Sequence, residues 1–122
     1  MSEQKTISEL DFEALRQAAE RHDAEALANL YAEEAEVRIV NRETPPSSPH
    51  VLRGREQIAR YLRDACGREI TSRIEDEVVG EERVAFNEAC QYPDGTRVMS
   101  STTLEVKDGK IVRQVSVEAW DE

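Results

Sequence analysis

The chain has 122 residues, 34% of them charged, and a net charge of −10 from 26 acidic against 16 basic side chains. That length fits one domain with one core, and the acidic balance argues against nucleic acid and anionic membrane surfaces as partners, because both are held by basic patches. No apolar run approaches the ~18 residues of a membrane helix and the N-terminus lacks an apolar signal region, so the expectation is a soluble, cytoplasmic protein with no membrane contact.

Residues 1–7 are expected to be a flexible lead-in and residues 8–122 a single domain. Ser8 reads as a helix cap with Asp11 three residues on, and Ile7 and Phe12 have the spacing of a hydrophobic staple. The helix they open runs to about Glu20, with Leu15, Ala18 and Ala19 facing in. His22-Asp23 breaks it, and Asp23 caps a second helix that buries Leu27, Leu30 and Tyr31 at helical spacing. Glu36 to Asn41 alternates as a strand, with Val37, Ile39 and Asn41 on one face. Arg42 to Leu52, with Pro45, Pro46 and Pro49, reads as a loop long enough to rim a pocket. Gly54 opens a third helix whose apolar face is Ile58, Tyr61, Leu62, Ala65 and Cys66, and Gly67 ends it. Arg68 to Val79 fits a strand or a helix face, with Thr71, Val78 and Val79 favouring strand.

The last third is the plainest part of the chain. Val84, Phe86, Glu88, Cys90 and Tyr92 share one side of a strand, and Val98, Ser100, Thr102, Leu104 and Val106 one side of the next. In the final strand Ile111, Arg113, Val115 and Val117 alternate with Val112, Gln114, Ser116 and Glu118. Pro93-Asp94-Gly95 and Asp108-Gly109 supply the turns, and Asp-Gly between alternating runs marks a hairpin. Helices grouped early and strands late give an α+β fold, a meander covered by three N-terminal helices. Cys66 and Cys90 fit free buried thiols better than a disulfide between a helix and a strand. With no paired-cysteine motif and with His22 and His50 far apart in sequence, a zinc site is not expected.

Several local features together resemble the SnoaL-like, or nuclear-transport-factor-2-like, superfamily. They are the helix pair broken at His22-Asp23 and continuing through Ala26-Leu27 to Leu30-Tyr31-Ala32, then Glu34-Ala35-Glu36-Val37, Arg53-Gly54-Arg55-Glu56-Gln57-Ile58 and Asp108-Gly109-Lys110-Ile111-Val112. The resemblance spans about Ser8 to Trp120. It implies a strongly curved antiparallel or mixed sheet wrapped around the helices into a cone with an apolar cavity. It also implies a small-molecule ligand, apolar or like a polyketide or steroid, and no metal or organic cofactor. Ketosteroid isomerases, polyketide cyclases, epoxide hydrolases and non-catalytic binding or assembly domains share the fold, so function rests on the site. The isomerase's base, oxyanion tyrosine and protonated acid would fall at Ile39, Leu15 and Thr102, so its catalytic set is missing. The acid that hydrolases and cyclases carry on the last strand would fall at Ser116, with Glu118 as the nearest carboxylate.

Glu88 shares its face with Val84 and Phe86. A carboxylate there needs a partner or takes a raised pKa, which is how a base near neutrality is made. A bulge that flips the strand, or a nearby arginine, would remove that role. Glu118 is the second acid or base candidate, provided its side of the last strand faces inward. Tyr31, Asn41, Tyr61, Thr102, Ser116 and Trp120 are candidates to orient a ligand, each also readable as plain core or rim. His50, in the long loop, reads most simply as solvated, and so do the acid clusters around Glu33, Asp76 and Glu81. Two functions follow: an isomerase, cyclase or hydrolase working by acid/base chemistry on an apolar carbonyl-bearing ligand, or a non-catalytic ligand-binding or assembly domain. A cavity holding a buried carboxylate favours the first. Finally, Ile111, Val115 and Val117 as an outward apolar stripe predict a homodimer through the outer face of the sheet, as the resemblance also implies.

Overall fold

The computed structural model describes residues 10–121. In these, three helices, α1 (Phe12–Glu20), α2 (Ala24–Ala28) and α3 (Arg55–Cys66), cover one face of a six-stranded sheet. The strands are β1 (Tyr31–Val40), β2 (His50–Arg53), β3 (Thr71–Val79), β4 (Arg83–Gln91), β5 (Arg97–Lys107) and β6 (Lys110–Trp120). Their order across the sheet is β2-β1-β6-β5-β4-β3. All neighbours are antiparallel except β1 and β6, which run parallel. The expected α+β class and the meander of the last third are therefore present.

The helix starts follow from their caps. Asp11 accepts the Ala14 amide at 3.0 Å and Asp23 accepts the Ala26 amide at 3.1 Å, satisfying N–H groups that a first turn leaves free. α1 thus begins at Phe12, not directly after Ser8. The flexible stretch 1–7, the Ser8 cap and the Ile7 half of the staple lie outside the described residues. His22 breaks the helix pair with a φ of 57°. Gly54, at φ 87°, makes the turn into α3 that a Cβ would strain. The Asp108-Gly109 turn has φ of 52° and 77°, the twist that matches a two-residue hairpin.

Three expectations need correction. Tyr31 is not on a helix: α2 ends at Ala28, and the Leu30 carbonyl accepts the Ile111 amide at 2.8 Å, so the parallel β1–β6 pairing claims the chain one helical turn early. The loop after β1 is shorter than predicted, because His50–Arg53 returns as β2 beside β1; Val37 faces Leu52 and Ile39 faces His50. Finally, Ile111 does not share the outer side with Val115 and Val117. Glu105 pairs with Arg113 but Val106 with Ile111, which leaves Val112 as an extra residue on β6. This bulge reverses the alternation, and Ile111 is fully buried.

The core lies between helices and sheet. Ile58 of α3, Leu104 of β5 and Ile111 of β6 are its largest fully enclosed side chains, with Phe12 set edge-on to Phe86 at 5.9 Å. α1 also guards the edge strand β3: Arg16 donates to the Ile74 carbonyl at 3.0 Å and Glu20 accepts the Ile74 amide at 2.9 Å. Beside them Asp76 takes a φ of 58° where one extra residue bulges β3 against β4. Bulges in β1, β3 and β6 bend the sheet around the helices.

Candidate functional site

The space between the sheet's inner face and the three helices is not filled by side chains. It holds a cavity of about 570 Å³, within the range of small-ligand sites. Strand register sets its walls as rows that cross the sheet. The deepest row is Val37, Gln114 and Leu104; the next is Ile39, Ser116, Thr102 and Phe86. A third runs Glu118, Ser100, Glu88 and Ile74, with Asn41 joined to Glu118. The fourth is Trp120, Val98, Cys90 and Ser72. Thr102 and Ser116 are 4% and 6% exposed, whereas Glu118, Cys90 and Trp120 are only half-buried, so the cavity opens at the fourth row.

All eight predicted site residues line this one cavity: Glu88, Glu118, Tyr31, Asn41, Tyr61, Thr102, Ser116 and Trp120. The parity of β6 is thereby decided, with Gln114, Ser116 and Glu118 inward. Sequence reasoning passed over Gln114, Ser100 and Ser72 as site residues; Gln114 shares a strand face with Ser116 and Ser100 with Thr102, whereas Ser72 is brought in only by its pairing with Cys90. His50 stands at the rim with its ring edge-on to Tyr61, centroids 6.0 Å apart.

On the cavity floor a hydrogen-bond chain crosses the sheet. The Tyr31 hydroxyl donates to Gln114 Oε1, and Gln114 Nε2 donates to Ser116 Oγ at 3.0 Å. Ser116 Oγ and Thr102 Oγ1 are 2.9 Å apart. Two hydroxyls joined by one hydrogen bond use one of their two protons. Ser116 already accepts from Gln114, so whichever hydroxyl donates, one proton of the pair has no acceptor among the described residues and is left for the cavity. Burial, with the charge of Glu88 beside it, pushes the Tyr31 hydroxyl well above its ordinary pKa, so it remains a donor.

Glu88 and Glu118 flank Ser100 across three strands, which sets their backbones roughly 10 Å apart at ~4.8 Å per strand. Burial raises the pKa of Glu88, the Glu118 charge adds to the rise, and hydrogen bonds from Ser72 and Cys90 oppose it. No arginine or lysine pairs with it among the described residues. Glu118 accepts from Asn41 Nδ2 at 3.1 Å and Trp120 Nε1 at 3.4 Å. Tyr61 is pushed up to about 12 by burial and then by Glu118. The Cys90 thiol, up to about 11, and the Cys66 thiol are both raised by burial and by Glu88, so both stay protonated and weakly nucleophilic. Both cysteines are free.

A curved, unclosed sheet packed on three helices around such a cavity is the SnoaL-like arrangement, and the SnoaL-like domain model matches residues 12–114. The chain belongs to the SnoaL-like domain family. Solved structures agree on the fold. An NTF2-like protein of unknown function from Mesorhizobium loti superposes with a TM-score of 0.73 at 22% identity, covering 88% of this chain and 84% of that one. SalBIII, an epoxide hydrolase/cyclase-like enzyme with a role in pyran ring formation in the polyether salinomycin, gives 0.68 at 20%, over 88% and 86%. A computationally designed 17-OHP binder gives 0.66 at 15%, over 96% and 100%. No curated protein matches the chain.

Proposed function

We propose that this SnoaL-like domain binds a small apolar ligand bearing a carbonyl and moves a proton on it. The observation that carries the reading is Glu88, a carboxylate with a raised pKa and no cationic partner among the described residues, facing an open cavity. The ligand's carbonyl oxygen accepts the spare proton of the Thr102–Ser116 pair, and its hydrocarbon body rests on Val37, Ile39, Leu104 and Phe86. A bond to that oxygen stabilises the negative charge that develops when an adjacent C–H is lost. Glu88, one row nearer the mouth, takes the proton, and Glu118, on the far side of Ser100, is the second acid or base. Tyr31 supports the floor through Gln114, while Asn41, Tyr61 and Trp120 shape the mouth. Isomerisation and aldol-type cyclisation begin from such a step; in hydrolysis the same base would take its proton from water instead. The same reading includes one domain from about residue 8, a cytoplasmic setting and a twofold dimer.

The second reading, a binding domain without catalysis, is favoured by Leu15 and Ile39. They put hydrocarbon into the cavity at the two positions where the isomerase pattern calls for an oxyanion tyrosine and a base. Incubating the protein with 2-tetralone in D2O and following its α protons by NMR separates the two. Accelerated exchange that is lost in Glu88→Gln supports catalysis. Saturable binding with no acceleration sinks it and leaves the binding domain.

A further inference from the structure

The charge lining the cavity is one-sided. Among the described residues Glu43, Asp64, Glu88 and Glu118 reach its walls against one guanidinium, Arg68. Arg68 is already held by Asp64 at 2.7 Å, and it donates to the Tyr92 hydroxyl at 3.3 Å. Two histidines, His22 and His50, also line it. At the mouth Glu118 sends only Oε1 into protein hydrogen bonds, accepting from both Asn41 and Trp120. Its Oε2 has no donor among the described residues, and it is not enclosed. Aromatic rings share this part of the cavity lining: Trp120 two residues along the same face, Tyr92 with its ring 5.4 Å from that of Trp120, and Tyr61, close enough to feel the Glu118 charge.

An anion entering here meets two unpaired carboxylates in a poorly solvated space. A protonated amine meets a fixed, half-desolvated carboxylate oxygen with rings beside it, and both attract a cation. The net charge of −10 acts in the same sense at longer range. From the open Glu118 oxygen and the aromatic mouth we infer that the ligand carries a basic nitrogen, bound as an ammonium at Glu118, at the opposite end from the carbonyl seated on Thr102 and Ser116. This rests on the proposed ligand cavity and names the class of molecule it takes.

Three probes on one skeleton test it: 2-aminotetralin, 2-tetralone and tetralin-2-carboxylate, titrated by calorimetry at pH 7. A charge-assisted hydrogen bond contributes about 1.5–3 kcal/mol, so the amine should bind about tenfold or more tighter than the ketone, and the carboxylate weakest. Glu118→Gln, which keeps shape and the Asn41 and Trp120 contacts, should abolish the amine's advantage over the ketone. Its circular dichroism serves as the check on folding. If the variant misfolds, Trp120→Leu should weaken the amine more than the ketone. Ketone and amine binding equally, the carboxylate binding best, or an amine preference that survives Glu118→Gln each overturns the inference while leaving the cavity reading intact. Binding of none of the three overturns both.

Discussion

At the scale of single residues, Glu88 and Ser116 carry the sharpest consequences. The raised pKa of Glu88 means that the native state holds this proton more tightly than the unfolded chain does. Its stabilising contribution is complete below the unfolded value of about 4.3 and is lost as pH rises through the higher folded value. Glu88→Gln has no proton to lose. Relative to the parent, the variant should therefore be more stable at pH 7 than at pH 4, as measured by urea unfolding at each pH. The same difference at both would show that Glu88 titrates as a solvated acid. Ser116→Ala acts differently. It removes the acceptor of Gln114 Nε2 and the partner of Thr102 in a buried chain. The expected loss is about 1–3 kcal/mol, together with weaker binding of ketones. A variant as stable as the parent would mean that the floor network is not a connected unit.

At the scale of elements, the bulge at Val112 decides which hydrophobic side chains of β6 work for the core. Without it Ile111 and Val115 would share a face and cost the same to truncate. With it Ile111 is fully enclosed and Val115 is only partly covered. Ile111→Ala should therefore cost about 2–5 kcal/mol and Val115→Ala less than about 1.5. Similar values from urea melts would contradict the bulge. The hairpins and caps around this strand were legible because their chemistry is local: Asp108-Gly109 needs positive φ, and Asp23 needs only the Ala26 amide three residues away. β2 was not legible. Four residues, His-Val-Leu-Arg, carry little pattern of their own, and they are a strand only because β1 would otherwise be an open edge.

At the scale of the molecule, the helices take the concave face of the sheet, and among the described residues nothing covers the other face. Met99 and Val117, 49% and 51% exposed, stand there with Ala89 and Ala119 between rims bearing Arg73 and Arg97. In the proposed twofold dimer this patch would meet its own copy. The expected outcome is a dimer in sedimentation equilibrium at micromolar concentration, strengthened by salt because screening weakens the repulsion of two chains of charge −10. Val117→Asp should dissociate it with the circular dichroism unchanged. A single 13.9 kDa species in the parent protein at all salt concentrations would rule the dimer out.

The sequence by itself determined whatever depends on neighbours a few residues apart. That covers the two hairpin turns, the helix breaks at His22 and Gly67, and the side shared by Glu88, Cys90 and Tyr92, or by Ser100 and Thr102. Alternation along one strand places residues on a common face without saying what that face meets. Only the tertiary structure decided that Gln114, Ser116 and Glu118 turn inward while Ile111 joins them from across a bulge, because one extra residue reverses every side chain beyond it. Only the tertiary structure paired β1 with β6 in parallel, the long-range contact that moved Tyr31 from a helix to a strand and set it beside Gln114. The Tyr31–Gln114–Ser116–Thr102 chain joins residues from three strands. Its spare proton exists only when those strands are in register, a relation that no local pattern encodes.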